Sequence, residues 1–410
     1  MSSAPFIPVG RPYLDARDLE RLAEPVERGW LVQGPLVDEF ERGFAAFLEA
    51  SASSSISLLA PHAVACASGT AALHLGVAAL GASAGDEVIV PAFTWVATAN
   101  CVEYAGAKPV FVDIDLETFN IDWALASASI TPRTAGMIPV HLFGLPAECD
   151  VMMALARRHH LWVLEDAACG FGASWQGQPV GTFGEAGCFS FHPRKAITTG
   201  EGGMLVTQDA ARASTVRALR SHGVQPGGAP YDMGDVPILG FNYRLTDLQA
   251  ALGCSQLRKA HEILAHRRQV AAWYDDALRA IDALRPAPRD ARATHGWQSY
   301  VCLVRADGTD TRAIDTAAAR RDALISNLLA AGIGTRPGTH APAHLSFYAT
   351  KYGIRPEDFP SAHTAARCSI ALPLGAGMTE LDVARVCEMV AASLDRTTAT
   401  GVFAVGAALS

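Results

Sequence analysis

A lysine beside a glycine-rich stretch is the residue of this sequence best suited to covalent chemistry. Lys195 follows an apolar run at residues 187–191 and precedes the small-residue stretch Thr-Thr-Gly-Glu-Gly-Gly at residues 198–203. Small neighbours leave a cleft around the amine, and partial desolvation favours the neutral form of an amine. The neutral amine is the form that attacks a carbonyl to make an imine. This segment alone is equally compatible with an ordinary surface lysine at a turn.

Three further segments place functional groups directly after apolar runs. Asp166 ends the run Trp-Val-Leu-Glu-Asp, where its carboxylate could bind a protonated ring nitrogen or merely cap a helix. Gly69 and Thr70 open a helical pattern, so their amides could bind a phosphate, although such residues usually serve only as caps. Trp95 could stack on a flat ring, although an aromatic residue at this spacing is more often part of the core.

Short apolar runs alternate with helical patterns around these residues, which predicts a mostly parallel α/β sheet. The predicted strands cover residues 63–67, 87–90, 108–112, 137–141, 162–165, 187–191 and 203–206. The predicted helices cover residues 15–28, 37–48, 71–80, 92–105 and 151–160, followed by one long helix at 246–280. Since α/β proteins bind ligands beyond the carboxyl ends of their strands, all four segments can converge on one cleft.

The four segments together match one cofactor, pyridoxal 5′-phosphate (PLP). They offer a cradle for a phosphate, a face for stacking, an acid for a ring nitrogen and an imine-forming lysine. Neither the P-loop pattern Gly-x-x-x-x-Gly-Lys-Ser/Thr nor the dinucleotide pattern Gly-x-Gly-x-x-Gly is present in the helix-opening segment. We therefore expect a PLP site in the first part of the chain.

Length and spacing indicate two domains. We predict a large PLP-binding α/β domain at residues 1–255, which includes an N-terminal arm at residues 1–50. A strand at 297–304 and helices at 317–331 and 379–393 predict a smaller α+β domain at residues 256–396. The tail at residues 397–410 is rich in Ala, Thr and Gly and predicts a weakly ordered terminus.

Composition excludes several classes of protein. The chain has 410 residues, of which 50% are hydrophobic and 18% charged, so whole-chain disorder is excluded. The formal net charge of −8 argues against binding to a nucleic-acid polymer, and the apolar runs are too short to span a membrane. The nine cysteines stand singly, without a Cys-x-x-Cys pair, which predicts reduced thiols in a cytoplasmic protein and no metal site.

The sequence resembles the DegT/DnrJ/EryC1/StrS sugar aminotransferases, a branch of the fold-type I PLP enzymes, from about residue 7 to residue 394. The matching motifs lie at residues 29–35, 68–74, 85–94, 165–168, 190–203 and 240–251. The resemblance implies a large domain with a mostly parallel seven-stranded sheet and a smaller C-terminal α+β domain. It also implies that Lys195 holds PLP through an imine and that Asp166 pairs with the pyridine nitrogen, while Trp95 stacks on the ring.

The resemblance assigns further residues to the cofactor and to the substrate. The phosphate would be bound by the amides and hydroxyl of Gly69, Thr70 and Ser190. Asn242 would reach the phosphate of a neighbouring subunit, which implies a homodimer with shared active sites. Trp30, Gln33 and His344 would lie on the substrate side of the cleft. Specificity is expected in the loops 29–35, 221–240 and 335–346. The cations that could meet a diphosphate are Arg220, His222, Arg244 and Arg336, although surface arginines usually serve only for solvation.

Three features depart from the family's pattern. Cys169 stands at a cofactor-binding position where the family commonly has Gln or His, and a thiol is a poor hydrogen-bond partner there. This difference changes the tuning of the ring, or it is a tolerated change in packing. Residues 51–59 form an insertion, and the tail after residue 393 has no counterpart in the motifs.

The activity implied by the resemblance is transamination with small-molecule substrates. An amino donor, glutamate in our hypothesis, passes its amino group to the cofactor, with pyridoxamine 5′-phosphate as the intermediate form. A keto-sugar, above all a nucleotide-linked 3- or 4-keto-deoxysugar, then accepts it. The alternatives are a PLP-dependent sugar dehydratase, another non-transaminating PLP enzyme, a keto-cyclitol aminotransferase and a non-enzymatic regulator. Some deoxygenating relatives have His in place of the lysine, so Lys195 disfavours the dehydratase.

Overall fold

The structure is a computed structural model that describes residues 5–56, 58, 60–225 and 234–399. The helices of this part are α1 (Ala16–Arg28), α2 (Pro35–Ser51), α3 (Gly69–Ala79), α4 (Ala97–Tyr104), α5 (Trp123–Ala128), α6 (Cys149–His159), α7 (Ala210–Arg220), α8 (Asp247–Arg258), α9 (Ala260–Leu278), α10 (Thr311–Ala330), α11 (Ser346–Tyr352), α12 (Pro360–Cys368) and α13 (Glu380–Ala399). Single 3-10 turns occur at Leu142–Gly144, Pro342–His344 and Pro356–Asp358.

The strands form one large sheet and two small ones. In chain order they are β1 (His62–Cys66), β2 (Glu87–Pro91), β3 (Lys108–Val112), β4 (Thr134–Met137), β5 (Trp162–Asp166), β6 (Ser174–Trp175), β7 (Gln178–Pro179), β8 (Ala186–Ser190), β9 (Gly203–Thr207), β10 (Leu284–Pro286), β11 (Ala293–Thr294), β12 (Tyr300–Val304) and β13 (Ser369–Leu372). The large sheet has seven strands in the order β1-β9-β8-β5-β4-β2-β3.

The seven-stranded sheet is parallel except for β9, which pairs antiparallel with both of its neighbours, β1 and β8. The pairs from β8 through β5, β4 and β2 to β3 are parallel. The predicted mostly parallel α/β fold is therefore confirmed. Because these strands share one direction, their carboxyl ends, which carry Asp166 and Ser190, meet at the same edge of the sheet.

Side chains on the buried strands alternate between two apolar clusters, one on each face of the sheet. In β2, Val88 and Val90 belong to one cluster, whereas Ile89 belongs to the other. Leu164 and Val163 divide in the same way in β5. This alternation is the two-residue period of a strand, and burial of both faces explains why these segments read as continuous apolar runs.

The C-terminal part contains a second sheet, with the order β10-β12-β13 and antiparallel pairing. The N-terminal segment reaches this part, since the Ile7 amide donates to the Gly332 carbonyl at 2.9 Å and the Leu374 amide donates to the Val9 carbonyl at 3.1 Å. We keep the division of the chain near residue 255 as a proposal. Among the described helices, none combines the length and the apolar character needed to cross a bilayer.

Two predicted elements are wrong in detail. The long helix at 246–280 is two helices, α8 and α9, which separate at Lys259, where φ is −95° and ψ is 1°. The Lys259 side chain is buried there, with Nζ 2.6 Å from the Asp18 carboxylate of α1. The periodicity of the helical pattern does not reveal an ion pair with a residue so far away in the sequence.

The strand that was predicted at residues 137–141 lies a few residues earlier in the structure, as β4 (Thr134–Met137). Of the predicted tail, residues 397–399 continue α13 and residues 400–410 lie outside the described residues.

Candidate active site

A cavity of about 390 Å³ lies beyond the carboxyl ends of β2, β5 and β8 and beside the first turn of α3. Its walls include seven of the residues selected from the sequence: Gly69, Thr70, Trp95, Asp166, Cys169, Ser190 and Lys195. These residues span more than a hundred positions of the chain. The order of the strands therefore brings together five groups whose types suggest a common site with Cys169 and Ser190, which the resemblance to the family assigns to the cofactor.

Asp166 is a buried acid at the last position of β5. Its Oδ2 accepts a hydrogen bond from Thr98 Oγ1 at 2.7 Å, and its Oδ1 accepts one from the Ala168 amide at 3.1 Å. Burial raises the pKa of Asp166, and the Thr98 hydrogen bond partly opposes that shift. Within the described residues the carboxylate forms no ion pair. A buried carboxylate of this kind is stabilised by a cation from a ligand, such as a protonated ring nitrogen.

Lys195 differs from the other three lysines of the sequence. Lys108, Lys259 and Lys351 are all paired with carboxylates, those of Glu87, Asp18 and Glu103 respectively. No described carboxylate pairs with Lys195, whose Nζ contacts the Cys169 thiol at 3.2 Å and faces the cavity. The amine is thus available for a bond with a ligand carbonyl.

The first turn of α3 is shaped to receive an anion. Ser68 caps the helix by accepting the Ala71 amide at 3.1 Å, while the amides of the first turn have no partner inside the helix. Gly69 has to be small, because a Cβ at this position would lie 2.8 Å from the Ser190 Cβ. The backbone dipoles of the eleven-residue helix favour a negative charge at this end. These features fit the phosphate of PLP.

A buried hydrogen-bond network fixes the end of β5. His141 Nδ1 accepts the Ala147 amide at 3.1 Å, so Nε2 carries the proton and donates to Glu165 Oε2 at 2.9 Å. The same carboxylate accepts three backbone amides of the 181–184 turn, at 2.7, 2.7 and 2.9 Å. Glu165 is fully buried and precedes Asp166 directly. The network therefore holds the strand end that carries the acid.

Four of the selected residues do not line this cavity. Trp30 is half-exposed, and its Nε1 donates to the carbonyl of Gln33 at 3.3 Å. Asn242 is exposed and pairs through its backbone with Ser221. His344 lies outside the cavity, and the centre of its ring is 5.6 Å from that of His363. Their expected roles at the site stay predictions.

The candidate diphosphate cations are separated by the fold. Arg220 is buried, and its guanidinium pairs with Glu41 at 2.7 Å and with the Ala65 carbonyl at 2.6 Å, so the structure gives it a role in packing. Arg244 donates to the Ser221 hydroxyl at 3.2 Å. Arg336 alone of the four lines the cavity. The loop at 221–240 that was expected to contribute to specificity is described only in part, because residues 226–233 lie outside the described residues.

The sequence reasoning missed several residues of the site. Thr98, in the first turn of α4, donates to Asp166 and also contacts the hydroxyl of Thr94 at 3.1 Å. Two hydroxyls spaced by four residues after a strand, at Thr94 and Thr98, are a signal that the sequence itself contains. Other polar residues of the wall that were not selected are His192, Arg194, Glu201, Gln298 and Thr339. The first three lie inside the motif at 190–203, whereas no short motif links Gln298 and Thr339 to the rest of the site.

A buried acid, a lysine without a carboxylate partner, a helix N-terminus and an aromatic face around one cavity define a PLP-binding α/β enzyme. The model of the DegT/DnrJ/EryC1/StrS aminotransferase family matches residues 12–391, and the chain belongs to this family. The resemblance inferred from the motifs is thereby confirmed, and so is its activity class: the chain is a PLP-dependent sugar aminotransferase.

Individual relatives match along nearly their whole length. GDP-perosamine synthase of Caulobacter vibrioides is 39% identical over 388 residues, which cover 94% of this chain and 98% of that protein. The crystal structure of the aminotransferase TlmJ from Streptoalloteichus hindustanus matches with a TM-score of 0.83 and 31% identity, covering 96% of this chain and 100% of TlmJ. Spr1654 of Streptococcus pneumoniae, solved in its PLP form, matches with a TM-score of 0.84 and 25% identity, over 96% and 99% of the two chains.

Proposed function

We propose that the enzyme transfers an amino group from glutamate to a nucleotide-linked keto-deoxysugar whose keto group is at C3 or C4. The observation that carries the proposal is the arrangement of Lys195 and Asp166 in one cavity. Among the residues that the structure describes, no carboxylate pairs with Lys195 and no cation pairs with the buried Asp166. The name of the Caulobacter relative, a GDP-perosamine synthase, supports a nucleotide-linked substrate.

Each residue of the cavity has a distinct task in this reaction. PLP supplies, when bound, an electron sink for the negative charge that develops on the carbon next to the amino nitrogen. Asp166 holds a proton on the ring nitrogen, because a carboxylate beside that nitrogen favours its charged form. Lys195 Nζ would hold the cofactor and, when its amine is free, would take the proton from the donor's Cα as a general base. The first turn of α3 and Ser190 anchor the phosphate.

The direct test is an amination assay with the holoenzyme. Glutamate alone should convert bound PLP to pyridoxamine phosphate and release 2-oxoglutarate in equal amount. A panel of nucleotide-linked 3- and 4-keto-deoxysugars and keto-cyclitols should then identify the acceptor. Loss of a sugar hydroxyl without amine transfer would show a dehydratase, and amination of only a cyclitol would move the proposal to that substrate class.

We propose that two chains share their active sites. Asn242 is exposed and lies outside the cavity of its own chain, which suits a residue that serves a neighbouring subunit. Trp30, Leu31, Val32 and Leu239 are exposed apolar side chains, with Leu239 88% exposed, and such surface favours contact with another chain.

Subunit complementation tests this arrangement. A mixture of Lys195→Ala and Asn242→Ala chains should regain activity, because one site of each mixed dimer then combines intact Lys195 with an intact Asn242. Each variant alone should be inactive or weakly active. A monomer in solution, or mixtures that stay at the level of the separate variants, would contradict shared sites.

We place the enzyme in the cytoplasm. All nine cysteines are free thiols, and eight of them are buried. Burial raises the pKa of several of them, including Cys66 and Cys254, each to about 12. Such thiols are unreactive core groups and fit a compartment in which thiols stay reduced. Fractionation of the cells that make the protein would test this location.

A further inference from the structure

Lys195 lies in the connection between two strands, outside regular secondary structure. β8 ends at Ser190 and β9 begins at Gly203. Two short-range hydrogen bonds shape the turn that carries the lysine: the Lys195 amide donates to the His192 carbonyl at 2.8 Å, and the Arg194 amide donates to His192 Nδ1 at 3.2 Å. Because their partner is only two or three residues away, these bonds do not fix the turn relative to the rest of the cavity.

A side chain from the C-terminal part of the chain reaches this turn. Gln298 lines the cavity, and its Nε2 donates to the Arg194 carbonyl at 3.0 Å. That carbonyl belongs to the peptide bond between Arg194 and Lys195. The two partners are 104 positions apart in the chain. The bond therefore ties the backbone of the lysine to a distant segment of the protein.

The amide of Gln298 is held in one orientation. The residue is 6% exposed, and the Ser299 hydroxyl donates to its Oε1 at 3.0 Å. Rotation of the amide by half a turn would place its oxygen against the Arg194 carbonyl, and two acceptors cannot form a hydrogen bond. Loss of the Gln298 donor would leave a polar group of the cavity wall without its partner.

The backbone of Gln298 is supported from two sides. Arg267 of α9 is buried, and it donates from Nε to the Trp297 carbonyl at 2.7 Å and from Nη2 to the Gln298 carbonyl at 2.6 Å. On the other side the Gly296 amide donates to the carbonyl of Gly144 at 2.8 Å, in a 3-10 turn that contributes to the cavity wall. The side chain of Gln298 therefore projects from a fixed support.

We propose that Gln298 is a positioning residue for Lys195, which directs the amine into the cavity by holding the Arg194 carbonyl. This inference rests on the proposed role of Lys195 as the residue that holds the cofactor and serves as the base. The position of the amine matters for both tasks, since a small displacement of a reacting group can cost a large part of its rate. The C-terminal part of the chain thereby acts on the lysine through the lysine's own backbone.

The test compares Gln298→Met, which removes the donor and keeps nearly the length of the side chain, with Gln208→Met. Gln208 also donates from Nε2 to a backbone carbonyl, that of Thr182 at 2.8 Å, but lies outside the cavity. The first readout is the rate at which saturating PLP becomes attached to Lys195 of the apoenzyme, trapped with borohydride and measured by mass spectrometry. Gln298→Met should slow attachment by about 3- to 10-fold, the size expected for one lost hydrogen bond. Gln208→Met should match wild type.

The reaction with glutamate gives a second readout. The single-turnover rate at saturating glutamate should also fall by about 3- to 10-fold in Gln298→Met, because the base is misplaced. The glutamate concentration that gives half of the maximal rate should change by less than about twofold, since the donor itself is not contacted. A raised half-saturating concentration with an unchanged maximal rate would assign Gln298 to the donor and overturn the proposal.

A chain without the amine separates positioning from direct contact with the cofactor. Lys195→Ala can bind PLP only without a covalent bond, and an absorbance titration measures that affinity. Addition of Gln298→Met to this variant should change the dissociation constant by less than about twofold, because Gln298 acts through an amine that is no longer there. Weakening by about tenfold or more would show that Gln298 itself binds the cofactor, which overturns the proposal.

Ser299→Ala is a milder second variant, which serves also if Gln298→Met does not fold. It removes only the hydroxyl that orients the Gln298 amide and should slow attachment by about two- to threefold. Combined with Gln298→Met it should add no further slowing, because both changes act on the same bond. Additive effects, or attachment at the wild-type rate in Ser299→Ala, would overturn the proposal.

Failure of this inference is distinguishable from failure of the proposed function. A wild-type enzyme that carries PLP on another lysine, or that never forms pyridoxamine phosphate from glutamate, contradicts the proposed function. A wild-type enzyme that does both through Lys195, with attachment equally fast in Gln298→Met, contradicts only the role of Gln298.

Discussion

The amine of Lys195 touches the thiol of Cys169, with 3.2 Å between Nζ and Sγ. Cys169 follows Asp166 by three residues, so the segment after β5 supplies both the buried acid and the neighbour of the lysine. A thiol is a weak hydrogen-bond partner, whereas a carboxylate would hold the amine as an ion pair. Cys169 thereby contacts Lys195 without engaging its amine in an ion pair.

Replacement of Cys169 should have a small effect. Cys169→Ser keeps a polar atom near Lys195 Nζ, and Cys169→Ala removes it, yet neither change removes the covalent chemistry of the lysine. We expect cofactor attachment in both variants and a change in turnover of less than about tenfold, the range of one neutral hydrogen bond. Absorbance spectra and steady-state rates measure the two quantities. Complete loss of attachment in Cys169→Ala would assign the thiol an essential role.

Asp166→Asn should slow the proton transfer at the donor's Cα. The amide has nearly the shape of the acid but no charge, so the ring nitrogen loses the group that favours its protonated form. We expect the single-turnover reaction with glutamate to slow by about 100-fold or more, a typical loss for a preorganised charge at a reacting centre. The exposed Asp307→Asn is the matched control. A rate within a few-fold of wild type would contradict the role of Asp166.

Thr98→Val should change the pH dependence of the rate. The variant removes the donor that lies 2.7 Å from Asp166 Oδ2 and leaves the carboxylate with less support in a buried site. Loss of a donor to the ionised form raises the pKa of an acid, in the same direction as the burial that already raises the pKa of Asp166. The rate should therefore begin to fall at a higher pH than in wild type as the solution is acidified.

Thr98→Ser is the control for this change, since it restores the hydroxyl and should restore the wild-type profile. The comparison is made on single-turnover rates with glutamate over a series of buffers. A profile of Thr98→Val that is lower at every pH but not displaced would show that Thr98 acts only through packing.

Gly69→Ala should weaken the binding of PLP. The added Cβ would meet the Ser190 Cβ at 2.8 Å, so Ser190 or the first turn of α3 must move away from the phosphate position. Alanine is the better helix former, so loss of the helix is not expected. Reconstitution of the apoenzyme should give a dissociation constant for PLP raised about tenfold, equivalent to about 1.4 kcal/mol. Gly10→Ala, whose Cβ would have 3.8 Å to its neighbour, should bind normally.

The sequence predicts the part of the site that strand ends position. Asp166 and Ser190 are the last residues of buried strands and Trp95 follows another, and parallel pairing then places all three at one edge. The type of each residue indicates its chemistry, and the order of the strands then determines how far apart these residues lie. Residue type and position therefore predict the α/β fold and five residues of the cavity wall, Gly69, Thr70, Trp95, Asp166 and Lys195. The other two, Cys169 and Ser190, are assigned only by the resemblance to the family.

Contacts between distant segments could not be inferred in this way. α8 and α9 separate at Lys259, the residue whose amine pairs with Asp18 of α1, and local periodicity does not encode such a long-range contact. Arg194 and Arg336 meet at the cavity because β13 positions a segment that is remote in sequence. His344 and Trp30 were selected from motifs near the substrate, yet both lie outside the cavity of their own chain.

The identity of the lysine that carries the cofactor tests the account most directly. Borohydride reduction of the holoenzyme followed by peptide mass spectrometry reports which of the four lysines is modified. We predict one pyridoxyl phosphate group per chain, on Lys195, and none after reduction of Lys195→Ala. Modification of Lys108, Lys259 or Lys351 in place of Lys195, or a wild-type chain that carries no cofactor after loading with PLP, would contradict the account.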